Sequence, residues 1–433
     1  MRTRIRNILR WLYPGMRVKR WILLLVVSLA ALVFALYGIL GVDAARSLRD
    51  PYPQGLAINL LLWVLGGAGT IVSLTCLVRS IARGVAPDVR MKPSTMIYRT
   101  RVLEKGPRVV AVGGGTGLST LLRGLKEETT NLTAVVTVMD DGGSSGRLRQ
   151  EIDMLPPGDV RNCILALAED ESRMSDYFQY RFTGPSELAG HSLGNLVIAG
   201  LEQATGGFDR AIEAMSDFLS IRGRVLPATL AKTHLRATLD DGTVIEGEAA
   251  ISEDPRAIER MELSTSPVEP YHAVLEAIGE ADLIILGPGS LYTSIVPNLL
   301  VPGIARAIEQ ARAEKVLVAN LMTQPGETTG FSLRDHLKAL SSYIALARFD
   351  AVFVNSQPPA GEILTHYEDE AAEPPRDDLD DGNEYGLAII RTDLLGFAHW
   401  AGKETIKHDP RKLARAIAKE TAAFSAARRT STP

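Results

Sequence analysis

Cysteine is nearly absent: the 433-residue chain has two, Cys76 inside an apolar run and Cys163 inside a helical pattern. Two such residues build no disulfide framework and no Cys/His spacing suits zinc, a usage that fits a reducing compartment. Excess charge is missing as well. With 47 basic and 51 acidic residues the formal net charge is −4, which argues against a general polyanion binder, so nucleic acid is not an expected partner. The phosphate loop GxxxxGKS/T does not occur, which excludes a P-loop NTPase, and no HExxH helix is present. A dinucleotide fingerprint fails twice. Gly113-x-Gly115 starts it, but Leu118 stands at the sixth position and Asp140 and Asp141 come later than the usual ~20-residue interval.

What the chain has first is hydrophobic length. Trp21 to Val42 is an uncharged apolar run and Gly55 to Val78 a second, each long enough to cross a bilayer. The basic front and Val42-Asp43-Ala44 also resemble a cleaved signal, but the first run exceeds the ~7–15 residues of a signal core, so a retained span is expected. Arg2, Arg4, Arg6, Arg10, Arg17, Lys19 and Arg20 precede it without an acidic residue, and Arg79, Arg83, Arg90 and Lys92 follow the second run. Positive charge on both flanks places both ends in the cytoplasm. Ile5, Ile8, Leu9 and Leu12 recur at helical spacing among the arginines, which fits a helix on the anionic inner membrane leaflet as well as purely topogenic charge. The organisation expected is a basic segment 1–20, a transmembrane hairpin 21–78 with spans 21–42 and 55–78, a linker 79–106, and a domain 107–433.

That domain reads as α/β, with a mainly parallel sheet. Val109 to Val112 is a β-branched run followed by Gly113, Gly114, Gly115, Thr116 and Gly117, and then by Leu118, Leu121, Leu122 and Leu125 at helical spacing. Strand, glycine turn and helix together aim backbone N–H groups and a helix dipole at an anion. A second run, Ala134 to Met139, ends in Asp140, Asp141, Gly142, Gly143, Ser144 and Ser145, so two adjacent parallel strands should carry both loops on one edge. Adjacent carboxylates repel, and Asp140 and Asp141 would gain from a magnesium ion; holding hydroxyls, acting as a base, or bracing the loop are their other roles. Asp159 is a plausible N-cap, which puts Arg161 and Asn162 in a first helical turn, where the arginine either clamps phosphate or pairs with a carboxylate. His191 and Asn195 begin another helical stripe. Ala281 to Leu286 ends in Gly287, Pro288, Gly289, Ser290 and Tyr292; Lys315 to Ala319 ends in Asn320 to Thr323; Ala351 to Val354 ends in Asn355. Polar and glycine residues follow each run, as ligand sites do at the carboxyl edge of open α/β sheets. Residues 232–251 read as a β-hairpin insertion, 367–386 as a mobile acidic loop, and Asp409-Pro410 as the cap of a C-terminal helix.

The motifs GGGTGLSTLLRGLK, VTVMDDGGSSGRLR, PPGDVRN, GHSLGNL, GPGSLYTS and NLMTQPGET, in this order, resemble the bacterial gluconeogenesis factor family of YvcK type, within the superfamily of the 2-phospho-lactate transferases. The resemblance covers Arg108 to about Asn355. It implies a Rossmann-like domain that binds a UDP-sugar, notably UDP-N-acetylglucosamine, and a role in cell shape and peptidoglycan precursor supply during gluconeogenic growth, with partner proteins in that synthesis. By the same resemblance Gly113 to Gly117 and Gly287 to Ser290 would cradle phosphates and Tyr292 would contact the nucleotide sugar; read from the residues, the Tyr292 ring stacks on a ligand or plugs the core. The transferase relatives imply the alternative, a metal-assisted transfer of a phospho-group from a nucleotide diphospho donor, with Asp140 and Asp141 on the metal side.

Overall fold

The computed structural model describes residues 19–40, 53–85, 103–265, 267–368, 371–400, 403–424 and 426. The chain forms two units, Met1–Thr100 and Arg101–Pro433. In the first, the helices Lys19–Leu40 and Pro53–Val85 meet at small residues: a Cβ on Gly66 would stand 2.9 Å from Leu32 Cγ and 3.0 Å from the Ser28 carbonyl. Thr70, Ser73 and Thr75 return their hydroxyls to carbonyls four residues back, at 2.8, 2.6 and 2.7 Å, which spares them a need for water. Of the two expected spans, one, within Ala57–Val78, is long and apolar enough to cross a membrane; the described apolar stretch of the other, Arg20–Leu36, is shorter. The expected basic segment before it lies outside the described residues, apart from Lys19 and Arg20.

The second unit is built on seven parallel strands. β1 (Val109–Gly113), β2 (Leu132–Val136) and β3 (Arg224–Pro227) run outward in one direction. A lobe of β4 (Leu235–Leu239), β5 (Val244–Glu246) and β6 (Ile258–Leu263) intervenes as a separate antiparallel sheet. β7 (Leu283–Leu286) then returns to the other side of β1 and is followed outward by β8 (Glu314–Val318), β9 (Ala351–Asn355) and β10 (Ala388–Thr392). The order is thus β10-β9-β8-β7-β1-β2-β3, with the reversal between β1 and β7. Both faces of this sheet are covered, so its inner strands read as unbroken apolar runs. Val109 and Ala111 pack with Leu118, Leu121, Leu122 and Leu125 on one face, and Val110 and Val112 with Ile284, Leu286 and Val352 on the other.

The structure departs from the sequence pattern in the hairpin and in the acidic stretch. The second arm of the hairpin stops at Glu246, because Gly247 takes a φ of 105° and Glu248–Glu253 continues as a helix. The acidic stretch carries neither strand nor helix among its described residues between 372 and 387, yet it is fastened. Thr323 exchanges two bonds with Glu373, at 2.7 and 2.9 Å, and Asp378 and Asp377 take Arg334 and Arg391. Near the chain end β11 (Leu395–Trp400) and β12 (Lys403–His408) pair as an antiparallel ribbon. Asp409 then caps the Pro410–Glu420 helix through the N–H groups of Arg411 and Lys412, both at 2.8 Å.

That last helix lies on Gly115–Leu125 at Gly124, where an added Cβ would collide with the Pro410 carbonyl and come within 2.7 Å of the Ala414 Cβ. Gly124→Ala is expected to destabilise the domain by about 1–3 kcal/mol, the usual range for overpacking, despite the better helix propensity of alanine. A lowered urea midpoint would report it; an unchanged or raised midpoint would show that the two helices are not held this closely.

Candidate functional site

The carboxyl ends of β1 and β7 bring two glycine loops together at the reversal of the sheet, where open α/β sheets bind ligands. Gly115 has a φ of 60° and opens the Gly115–Leu125 helix, whose N-cap, Gly114, supplies no side-chain bond. Gly117 lies so close to the Pro288 carbonyl and Gly289 Cα that a side chain there would collide with backbone. Side-chain amides bind the loops together. Asn298 Nδ2 donates to the Gly113 carbonyl at 3.0 Å, the Gly289 N–H donates to Asn320 Oδ1 at 3.3 Å, and Gln324 Nε2 donates to Ser290 Oγ at 2.7 Å. Between them lies a cleft of about 200 Å³, bounded by Gly114–Gly117, Pro288–Ser290, Asn320, Gln324, and Lys407 and His408 from β12. Among the described residues no carboxylate lines it. Burial holds Lys407 below the ordinary lysine range, helped by the charge of Arg123. Burial also takes His408 down to about 4, so the ring is neutral; it bonds the Ala319 backbone, and its Nε2 has no partner.

Acidic groups gather behind Gly114. A Cβ on that glycine would stand 2.7 Å from Asp159 Oδ2. Asp159 is not the N-cap expected, since Pro157 holds that position; its carboxylate instead accepts the Gly115 N–H. Burial raises it to about 6, and Asp140 adds to the shift. Asp140 is raised by burial too, although the Gly142 N–H at 2.9 Å and Ser145 stabilise its charge. Glu248, from the lobe helix, reaches about 8 through burial and the nearness of Asp140, Asp141, Glu327 and Asp159. Asp141 serves elsewhere: it accepts the N–H groups of Glu248 and Ala249 at 3.1 and 2.8 Å and so fixes the start of the lobe helix. The adjacent aspartates are therefore divided between two tasks. Among the described residues no group of three or more His, Cys, Asp or Glu is placed to hold a metal ion.

On the β2 side a buried polar network joins three helix starts. Arg161, 7% exposed, donates to Ser192 Oγ, to Asn195 Oδ1 at 2.8 Å and to Asn162 Oδ1 at 2.9 Å. Burial, then the charge of Arg181, lowers it to about 10. Asn195 Nδ2 donates to Ser144 Oγ at 3.0 Å, and Ser144 meets His191 Nδ1 at 3.2 Å. Burial likewise lowers His191, which is 1% exposed.

The residues read from sequence thus fall into separate groups. Gly114, Gly115, Thr116, Gly117, Pro288, Gly289, Ser290 and Asn320 line the cleft, with Gly113 and Gly287 at the strand ends beneath it. Ser144, Arg161, Asn162, His191 and Asn195 form the network, and Ser145 joins Asp140. Tyr292 is 4% exposed and takes the core position of its two readings, while its N–H and the Thr293 hydroxyl bind Glu327 at 3.1 and 2.8 Å. Thr323 fastens the acidic stretch and does not line the cleft. Sequence reasoning assigned no role to Lys407, His408, Gln324 and Glu248, although Gln324 stands in the polar motif after Ala319 and Lys407 and His408 form a basic pair at the end of a run.

Residues 109–395 match the family described as 2-phospho-L-lactate transferase CofD, which makes this domain one of the CofD class. Relatives narrow it further. The chain is 46% identical over 308 residues to the gluconeogenesis factor of Bacillus subtilis, covering 71% of this chain and 96% of that one. It is 41% identical over 443 residues to a Nostoc sp. protein given the same description provisionally, covering 96% and 93%. A crystal structure of a Bacillus halodurans protein matches with a TM-score of 0.68 at 43% identity, over 72% of this chain and 99% of that one. The chain belongs to the gluconeogenesis factor family.

Because Asp159 and Glu248 titrate above their ordinary values, the stability they allow is full below about pH 4 and is lost as pH rises, through about 6 for Asp159 and about 8 for Glu248. Glu248→Gln should flatten that decline and raise stability at pH 9 by on the order of 1–3 kcal/mol. Thermal denaturation of both proteins from pH 5 to 9 measures this; parallel curves would mean that Glu248 is not crowded by other carboxylates.

Proposed function

We propose that the chain is a membrane-tethered, cytoplasm-facing protein that binds a UDP-sugar, UDP-N-acetylglucosamine, and regulates how much carbon enters cell-wall precursors, as cell shape requires under gluconeogenic growth. The observation that carries the reading is the cleft between two glycine loops, with Lys407 at its wall and no carboxylate among its described lining residues. Backbone N–H groups at a helix start and one ammonium suit a diphosphate. Membership of the gluconeogenesis factor family supports the regulatory role. The apolar helix within Ala57–Val78, with basic residues on both outer flanks, supports a tether of two spans with both ends in the cytoplasm. There the domain would meet the inner leaflet and the proteins that make wall precursors.

A second reading, phospho-group transfer from a nucleotide diphospho donor, rests on the carboxylates behind Gly114. Asp140 and Asp159 are both raised by burial, Asp159 also by the charge of Asp140 and Asp140 by that of Asp141, a strain that a magnesium ion would relieve. Magnesium is commonly held by one or two carboxylates together with substrate phosphates, so these two residues fit it without a third ligand, whereas Asp141 is already engaged. Bound there, the ion would neutralise charge on a transferring phosphoryl group.

Full-length protein in detergent, challenged with UDP-N-acetylglucosamine, UDP, GDP and NAD with and without magnesium, separates the readings. A ligand at ~100 times its dissociation constant should stabilise by about 2.7 kcal/mol, visible as a thermal shift. Lys407→Ala is expected to weaken the uridine ligands by about tenfold, the value of one charge-assisted bond. No shift with any uridine nucleotide would overturn the first reading, and release of UMP or GMP in the presence of an acceptor would establish the second.

A further inference from the structure

Asn320 faces two spaces. Besides the cleft it borders an apolar cavity of about 50 Å³ among the ends of β7, β8 and β9 and the Leu333–Ser341 helix, with Leu286, Leu317, Leu340 and Val352 in its wall and Leu379 of the acidic stretch completing it. By that measure one water needs about 10–15 Å³, so the cavity offers the room of a few waters, on the order of one six-membered ring.

Of its described wall residues two carry polar side chains, Asn320 and His336. His336 Nδ1 lies 2.8 Å from the Ser332 carbonyl. A carbonyl only accepts, so Nδ1 holds the proton, and burial keeps the ring neutral by lowering its pKa. Nε2 is therefore a lone-pair acceptor, and it is buried without a partner. A buried acceptor left unpaired is costly, and among the described residues no donor reaches it. Asn320 has the opposite capacity to spare: its Oδ1 takes the Gly289 N–H at 3.3 Å, which leaves its NH₂ group as a donor beside the phosphate-cradling loops.

We infer that this cavity is the base subsite of the cleft's ligand, taking one flat six-membered ring that presents an N–H next to a carbonyl, with His336 Nε2 accepting the N–H and the Asn320 amide donating to the carbonyl. Uracil has that edge, in its N3–H and the carbonyls beside it. Purines exceed the space. The inference rests on the reading of the cleft as a uridine nucleotide site and adds to it which residues read the base and why.

Titration calorimetry on the full-length protein in detergent, with UDP, 3-methyl-UDP, GDP and inorganic pyrophosphate, tests it without a variant. UDP should bind at least about tenfold more tightly than 3-methyl-UDP, which lacks the N–H, and than GDP. His336→Phe should bring UDP down to the 3-methyl-UDP level and leave pyrophosphate binding unchanged. Equal affinity of UDP and 3-methyl-UDP for the unaltered protein overturns the base subsite while leaving uridine binding intact, and GDP binding as tightly as UDP does the same. Failure of every uridine nucleotide to bind overturns both.

Discussion

The cleft depends on how closely two backbones approach at the centre of the sheet. Gly117 sits against the carbonyl of Pro288 and the Cα of Gly289, and Gly114 leaves no room for a side chain beside Asp159. Those contacts are possible because β1 and β7 are parallel neighbours whose following loops leave from the same edge. Glycine at Gly114 and Gly117 is therefore a requirement of packing before it is one of binding. The hydrogen bond from Asn298 to the Gly113 carbonyl and the one from Gly289 to Asn320 then fix the loops against each other, so the spacing is set before any ligand arrives.

Charge is sorted around this junction. The cleft side has N–H groups, amides and Lys407; the far side of Gly114 has Asp140, Asp159 and Glu248. Keeping those carboxylates under cover is unfavourable, as their upward displacement shows, and only part of the cost is returned by the Gly115, Gly142 and Ser145 hydrogen bonds. Arg161 stands near them, yet its hydrogen bonds go to Ser192, Asn195 and Asn162, none of them charged. Arg161 therefore offsets the Asp159 charge through space, without a hydrogen bond to it.

Sequence legibility followed sequence distance. The parallel strands were readable because burial on both faces leaves β1, β2, β7 and β9 as plain apolar runs, and the glycine loops because they follow those runs directly. The contacts of Asp141 could not be read for the opposite reason. Its partners, the N–H groups of Glu248 and Ala249, are more than a hundred residues away, and nothing in the Asp-Asp-Gly-Gly run announces a helix that it will cap. The same distance hid Glu248 from its carboxylate neighbours. Lys407 and His408 escaped because β12 is a polar strand in a two-stranded ribbon, outside the rule that ties ligand sites to the large sheet. Tyr292 shows a different limit, since an aromatic residue after a glycine turn has the same local pattern whether it faces ligand or core.

The position of Lys407 and His408 near the end of the chain also bears on synthesis. The strands β1 to β10 and both glycine loops are complete before β12 is made, so a polypeptide stopped short of Lys403 would already contain the entire parallel sheet. It would lack one wall of the cleft. A shortened product could therefore assemble the sheet and both loops and still present an unfinished cleft, and synthesis has to pass His408 before a newly made molecule can complete that wall.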